Sequence, residues 1–587
     1  MAHVDEISSD ERDKQALQHI EDVTIHASQI QRQILTQILS TNADVEYLQQ
    51  HGLHGSTELS TFKNLIPLIS YEQLRPYIDR IANGDDSPIL CTNPITEFFI
   101  SSGTSGGEPK LIPMYEEEFM RRLSFFDYVM PRMKQLFPNS LVGKGKGMHF
   151  QFAKVELKTR SGIVAHTATT SLCKRANLNN TSPKDIILCT DTNQSLYCQL
   201  LCGLCQNDIV FRVGALFAST LIHVLKFLED HWVVLASDIR AGTLNTKITD
   251  PSVREAVMNI LNPNAQLADF IEAECSKGTW EGIITRLWPN AKYINAIVTG
   301  SMAQYLPKLN YYSNHLPIVS DHYGGSECFL GLNLDPLCSP DRTSYTLIPT
   351  MAYFEFLPID RTKSSRELSR ELVDLVDVKL GHEYELVITT YAGLYRYCMG
   401  DILRVTGFKN KAPNFSFVCR KNVVLSLDIE KTDEAELHDA VQEAARLLSP
   451  FGAAIADYTS HADSSKIPGH YVLYWEIHVK GGISIPSSIY EDCCFAIEEL
   501  LNGPYRYLRS HEKCINPLEI KIVKVGTFEK LMAQALNRGA SMSQYKTPRC
   551  VNSTHIIELL DSNVVTKYFS KECPKVDTNA LHRLLSK

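Results

Sequence analysis

The sequence predicts an α/β protein with a large N-terminal domain and a smaller C-terminal α/β domain. Three observations predict it. Through the middle of the chain, short apolar runs that end in Gly, Ser and an acidic residue alternate with helical patterns, as in a sheet with its ligand at the strand C-termini. From Thr346 the pattern changes to antiparallel-type strands with turns between them. The polar stretch Asp428-Ile-Glu-Lys-Thr-Asp433 then breaks the pattern, and a small helix-and-strand unit follows it.

Composition narrows the class. The chain has 587 residues, enough for two or more domains. Hydrophobic content of 44% with 21% charged residues is that of an ordinary globular protein. A net charge of -9 without a lysine or arginine block argues against non-specific nucleic-acid binding. Sixteen cysteines without an N-terminal apolar segment read as reduced thiols, which points to a cytoplasmic protein. The polar, acidic start of the chain suggests a disordered lead-in over residues 1–20. The most apolar run, 213–225, is too short to span a bilayer and is flanked by Arg212 and Lys226, so it is expected as a buried helix. A monomer without membrane or nucleic-acid partners is expected.

The elements follow in order. Ile30, Ile34, Leu35, Ile38 and Leu39 recur at helical spacing within 25–50. A Pro-punctuated apolar segment, 65–77, leads to the strand end Phe98-Phe99-Ile100. A Gly/Ser loop at 101–110 comes next, then a helix over 116–136 marked by Phe119, Leu123, Phe126 and Met130. Gly143-Lys-Gly-Lys-Gly147 reads as a turn before a strand at 148–153. Cys198, Cys202 and Cys205 lie in a leucine-rich helix with no fourth zinc ligand in range, so core cysteines are expected. Strands are expected at 293–298, 316–319, 353–357, 384–389, 402–406 and 415–418. Beyond 433, Asp433 and Glu436 read as a helix N-terminus, with Leu437, Val441, Ala444 and Leu448 on one face. A strand at 471–479, a helix at 488–501, a strand at 518–525 and a helix from Thr527 complete the unit.

Three places carry chemistry. The loop 101–110 has three glycines, four hydroxyls (Ser101, Ser102, Thr104, Ser105) and Lys110. Glycines such as Gly103 let successive N–H groups converge on phosphate oxygens, and Lys110 adds a mobile charge. It is not a Walker A loop, because Pro109 precedes and Leu111 follows the lysine. Glu327, in Tyr323-Gly-Gly-Ser-Glu327, can hold Mg²⁺ against phosphates. Asp401, after Gly400, can accept ribose hydroxyls. The plain alternatives are a flexible surface loop, an exposed turn residue at Glu327 and a simple turn aspartate at Asp401.

Ser-Ser-Gly-Thr-Ser-x-Gly-x-x-Lys, Tyr-Gly-x-Ser-Glu and Tyr-Arg-x-x-x-Gly-Asp, in this order and at these separations, resemble the plant acyl acid amido synthetases, the auxin-responsive Gretchen Hagen 3 family of the adenylate-forming superfamily. Arg286-Leu-Trp-Pro-Asn290, Val298-Thr-Gly-Ser-Met302, Asn333-Leu-Asp-Pro-Leu-Cys338, Pro468-Gly-His-Tyr471 and Gln544-Tyr-Lys-Thr-Pro-Arg-Cys550 extend the resemblance over nearly the whole chain. The nearest-looking branch joins benzoates or isochorismate to glutamate. The resemblance implies a large adenylation domain at 21–428, partly β-barrel-like, a hinge at 429–434 and a mobile small domain at 435–587. It implies ATP and Mg²⁺: a small acid is adenylated, and an amino-acid amine then displaces AMP.

The resemblance also implies roles. Lys110, Glu327 and Lys546 would be catalytic, with Glu327 on the metal. Lys546 stands in for a family lysine without a clear match near His555. Ser101, Ser102, Gly103, Thr104, Ser105, Thr299, Gly300, Ser301, His322, Tyr323, Gly324, Gly325, Ser326, Glu327, Asp401 and Lys421 would hold the nucleotide. Phe126, Val129, His322 and Tyr323 would line the acyl pocket, and Thr167, Ala168, Thr169, Thr170 and Lys530 would face the amino acid. The family usually has Ser or Ala at Gly325 and Arg at Cys398, and its benzoate-acting members carry Arg where this chain has Val129. The change at Gly325 is tolerable, Cys398 removes a charge near the nucleotide site and bears on rate rather than fold, and Val129 suggests a less benzoate-like acid. Two rival readings are an acyl-CoA ligase, which shares the first step, and a non-catalytic relative that binds acyl acid or nucleotide without turnover.

Overall fold

A computed structural model describes residues 8–100, 110–153, 156–176, 179–359, 372–421, 424–425, 427, 432–463, 465, 468–480, 484–513, 515–543 and 545–575. Ordered structure begins earlier than composition suggests. Ser8 caps the helix Ser9–Ile25 by accepting the Glu11 N–H, and Ile20 and Val23 are buried. Charged residues on the outer face of an amphipathic helix give the stretch its disordered composition. The helical pattern of 25–50 splits into Ala27–Thr41 and Glu46–Gln50. Gln31 pins the first of these to the main sheet, donating to Pro349 O and Ala352 O and accepting from Phe354 N.

The chain forms two compact units. The first runs to Phe417 and includes 541–543. Three sheets build it. One is mixed and four-stranded, in the order Leu111–Met114, Glu97–Ile100, Val164–His166, Leu157–Lys158. One is parallel and four-stranded, in the order Lys146–Phe150, Val210–Phe217, Tyr293–Ile297, Ile318–Val319. The third is eight-stranded, in the order Val373–Asp374, Tyr353–Pro358, Glu383–Thr389, Tyr397–Lys409, Ala412–Arg420, Tyr345–Leu347, Phe329–Leu332, His322–Gly324. Its strands pair antiparallel, as their sequence pattern indicates.

Two sequence readings are corrected in this unit. The apolar run 213–225 is not one helix: it is the end of the strand Val210–Phe217 and the start of the helix Ala218–Ala241. A parallel strand covered on both faces reads as a continuous apolar run, which periodicity cannot separate from a buried helix. The helix over 116–136 is three pieces: Glu116–Ser124, a 3₁₀ turn Phe125–Tyr128, and Val129–Leu136. The restart places Pro131 in a first turn, where its missing N–H costs no helical hydrogen bond. Of the cysteines of Thr192–Cys205, Cys198 and Cys202 are fully buried core residues and Cys205 is partly buried.

The second unit holds a sheet in the order Ala453–Asp463, His470–Val479, Glu519–Val523, Val564–Phe569. The helices Glu434–Ala445, Ser487–Leu500, Thr527–Asn537 and Thr554–Ser562 accompany it. Of the expected hinge only 432–434 is described, where Thr432–Asp433 is a short strand. The first and last strands and the helix Thr554–Ser562 were not expected from sequence. Ala453–Asp463 buries polar side chains: Asp457 accepts from Arg549 Nη1 at 2.6 Å and from Thr547 Oγ1 at 2.7 Å, which masks the alternation of a strand. Among the described residues no helix is long and apolar enough to cross a membrane.

Candidate active site

Ser101, Ser102, Gly103, Thr104 and Ser105 lie outside the described residues. Ile100 and Leu111, on either side of them in the sequence, are cross-strand partners. A strand, Leu111–Met114, therefore intervenes before the helix that the sequence places directly after the loop. Lys110, just before Leu111, has its Nζ 3.5 Å from Tyr397 Oη and 5.3 Å from the centre of the Tyr71 ring. Tyr71 in turn accepts the Leu111 N–H at 2.7 Å.

Glu327 sits in the turn between His322–Gly324 and Phe329–Leu332. It is 3% exposed, so it is not the exposed turn carboxylate of the plain alternative. Gly325 N donates to Cys328 O and closes the turn. A Cβ on Gly324 would lie 3.1 Å from Cys328 O, which only glycine tolerates cheaply. A Cβ on Gly325 would lie 2.8 Å from Glu327 Oε2, so the carboxylate lies over the space a side chain at 325 would fill. Arg122 was not singled out by sequence. Its guanidinium donates to Ser326 O at 2.7 Å and Glu327 O at 2.5 Å, and its Nε donates to Glu118 Oε1 at 3.1 Å.

Asp401 is not at a strand end. It lies within the long strand Tyr397–Lys409, just after Gly400 at φ 77°. Cys398 pairs with Val387 and Ile402 with Glu385, so the Gly400 segment bulges out of the ladder. The bulge re-aims Asp401, which accepts the Tyr323 hydroxyl at 2.7 Å and is 7% exposed. Arg396 of the same motif is structural. It makes a two-pronged ion pair with Glu355 at 2.9 Å and donates to Lys63 O and Ile66 O.

The residues expected in the acyl pocket converge in part. The Phe126 ring meets His322 edge-on at 5.4 Å and Phe329 at 5.1 Å. Val129 packs with Met133, Tyr293 and Val319 over the parallel sheet. His322 Nδ1 lies 2.6 Å from Asp321 Oδ1, and Asn295 donates to Asp321 Oδ2 at 3.0 Å. Burial opposes ionisation of Asp321, but His322, Arg212 and Asn295 outweigh it and hold the carboxyl down to about 2. His149 and Arg212 share this sheet face through the pairs Gly147↔Arg212 and His149↔Gly214. Burial, then the Arg212 charge, pushes the His149 imidazole down to about 3. The atoms His149 Nδ1 and Arg212 Nε are buried without a hydrogen-bond partner among the described residues.

Thr299 precedes a 3₁₀ turn, Gly300–Tyr305, which contains Ser301. Thr167 caps the helix Ala168–Arg175, its hydroxyl accepting the Thr170 N–H at 3.2 Å, and Thr167, Thr169 and Thr170 are buried. A polar network that the sequence did not reveal lies beside this helix. His166 Nε2 contacts Glu97 Oε2 at 2.5 Å and its Nδ1 contacts Glu156 at 2.9 Å, while Ser171 and Arg175 also hold Glu97. Burial opposes ionisation of Glu97, but the His166 bond and the Arg175 charge keep its carboxyl below the usual range.

In the second unit Lys421 is exposed in a turn and Lys546 is half-buried. Lys530, on Thr527–Asn537, donates to Asn563 Oδ1 at 2.9 Å. Among the described residues no group of three or more His, Cys, Asp or Glu could hold a metal alone. Glu327 offers one hard oxygen ligand, which suits Mg²⁺ shared with phosphates.

Known proteins match this chain along its length. The GH3 family N-terminal domain profile matches residues 16–318, the central domain profile 345–420 and the C-terminal domain profile 435–555. Indole-3-acetic acid-amido synthetase GH3.5 of Arabidopsis thaliana is 57% identical over 590 residues, covering 97% of this chain and 96% of its own. Indole-3-acetic acid-amido synthetase GH3.8 of Oryza sativa subsp. indica is 50% identical over 575 residues, covering 96% and 95%. The solved structure of GH3.15 acyl acid amido synthetase is 47% identical and superposes with a TM-score of 0.90 over 97% of this chain and 99% of that one.

Proposed function

The chain belongs to the GH3 family of acyl acid amido synthetases, and from that premise we propose that it uses ATP and Mg²⁺ to adenylate an aryl-alkanoic acid of the indole-3-acetic type and passes the acyl group to an amino acid. The observation that carries this reading is the hydrogen bond between Tyr323 and Asp401, which joins the second and third motifs. Lys110 beside Tyr397 brings the first motif to the same strand as Asp401.

In the first step the acid's carboxylate attacks the α-phosphate of ATP and pyrophosphate leaves. Lys110 binds and orients phosphate, and Asp401, steadied by Tyr323, holds the ribose. Mg²⁺ on Glu327 would neutralise charge that grows on the phosphates. In the second step the amine attacks the acyl carbon and AMP leaves. The mixed anhydride is already activated, so positioning the amine near the Thr167–Thr170 segment supplies much of the rate.

Two observations favour an aryl-alkanoate. Phe126 packs edge-on against the His322 and Phe329 rings, an apolar and aromatic lining, and Val129 offers no charge. The Arabidopsis thaliana GH3.5 and Oryza sativa GH3.8 relatives act on indole-3-acetic acid by their names, whereas the benzoate and isochorismate branch has no such support. A matrix of acyl acids against amino acids, read by mass spectrometry, tests the proposal. An indole-3-acetyl amino acid as the leading product supports it; a benzoyl or hydroxybenzoyl amide as the leading product overturns the acid assignment.

A further inference from the structure

We propose that Arg122, held by Glu118, is a positioning residue that sets the geometry of the Glu327 carboxylate toward Mg²⁺; this rests on the reading of Glu327 as the metal carboxylate. Arg122 is 1% exposed, and the Glu118 side chain is fully buried. A buried guanidinium of this kind is usually spent on a carboxylate. Here only Nε goes to Glu118, while Nη1 and Nη2 go to two consecutive carbonyls, Ser326 O and Glu327 O. Two charge-assisted bonds on adjacent peptide units fix the orientation of both, and therefore the direction in which Glu327 leaves the backbone. The carboxylate then lies over Gly325, with Oε2 2.8 Å from where a Cβ would be.

The anchor also connects two parts of the site. Arg122 belongs to Glu116–Ser124, the helix that follows the strand returning from the Gly/Ser loop. One side chain thus ties the element after the loop to the turn that bears Glu327. Glu118 is shared with Arg121, whose Nη1 lies 3.0 Å from Oε2. The carboxylate offsets one of the two arginine charges, so the trio has one net positive charge beside the Glu327 turn. Losing Glu118 would double that charge and disfavour a divalent cation nearby. Lysine at 122 would keep the charge but lose the fork that spans two carbonyls.

The test uses the full-length chain with Arg122→Lys, Glu118→Gln and Glu327→Gln variants. Folding is checked by thermal melting. Two quantities are then measured: the Mg²⁺ concentration for half-maximal pyrophosphate release, and the affinity for Mn²⁺ in the presence of a non-hydrolysable ATP analogue, read by electron paramagnetic resonance without turnover. Arg122→Lys is expected to raise the metal requirement about threefold and Glu118→Gln about tenfold, with a matching loss of Mn²⁺ affinity and little change in analogue affinity without metal. A folded Arg122→Lys or Glu118→Gln with unchanged metal dependence, alongside a shifted Glu327→Gln, overturns the role of Arg122 alone. An unchanged Glu327→Gln overturns the metal reading and this proposal with it. Should Glu118→Gln fail to fold, Arg122→Lys decides.

Discussion

Tyr323 donates its hydroxyl to Asp401 across 2.7 Å, although 78 residues separate them in sequence. The bond needs the bulge at Gly400, which turns Asp401 out of the regular ladder, and the short strand His322–Gly324, which aims Tyr323. If Asp401 grips the ribose, Asp401→Asn should raise the KM for ATP at least tenfold, and Tyr323→Phe should raise it less. Pyrophosphate release at varied ATP measures both. An unchanged KM in Asp401→Asn would remove Asp401 from the nucleotide site.

Lys110→Ala should weaken ATP use without lowering the melting temperature. Its contacts to Tyr397 and Tyr71 lie at the edge of the site, and the backbone around it is held by the pairing of Ile100 with Leu111. Equal ATP kinetics in a folded variant would show that the loop does not bind phosphate.

Glu327→Gln should abolish most adenylate formation, because losing one transition-state charge contact costs about 2–4 kcal/mol, a rate loss of roughly thirtyfold to a thousandfold. The Arg122 bonds go to the backbone of 326 and 327, so the turn should persist in the variant. Normal pyrophosphate release would exclude the carboxylate role.

Val129→Arg should move preference from indole-3-acetic acid towards small benzoates, by tenfold or more, since a charge-assisted pair is worth roughly 1.5–3 kcal/mol. It should also lower the melting temperature, because Val129 packs with Tyr293 and Val319. Competition assays with paired acids measure the preference. An unchanged order in a folded variant would show that other side chains read the acid.

The His149 imidazole is held down to about 3, mainly by burial, while the unfolded chain titrates near the ordinary value of 6.5. The unfolded state therefore binds more protons between these values, and stability should fall as pH drops from about 6.5 towards 3. The loss from this group should reach about 2 kcal/mol at pH 5. Urea unfolding at pH 7 and pH 5 measures it. His149→Gln should reduce the difference between the two pH values; a difference equal to wild type would assign it to other groups.

Motif residues were legible because the chemistry restricts residue type and spacing, and the fold brings motifs together: Lys110 meets Tyr397 on the strand that carries Asp401, and Asp401 meets Tyr323 of the motif that carries Glu327. Their supports were not. Arg122 four residues after Glu118 reads as a surface helix ion pair, and only the fold brings it to carbonyls 204 and 205 residues away. Arg396 stands inside a motif, yet its partner Glu355 comes from a neighbouring part of the sheet. The same limit applies to the fold. Strands ending in chemistry were found, whereas Ala453–Asp463 was not, because the Arg549 that satisfies its buried Asp457 lies 92 residues on. The strand and helix at 210–241 merged into one apolar run because both are buried.

Trapping of the acyl-adenylate with hydroxylamine tests the central claim most directly. Purified full-length protein is incubated with ATP, Mg²⁺, indole-3-acetic acid and hydroxylamine, with no amino acid and no coenzyme A. The account predicts indole-3-acetyl hydroxamate together with equal amounts of AMP and pyrophosphate, and replacement of the hydroxamate by an amide when an accepted amino acid is supplied. Neither hydroxamate nor AMP from folded protein across aryl-alkanoic acids and benzoates, or an adenylate that passes to coenzyme A and to no amino acid, would contradict it.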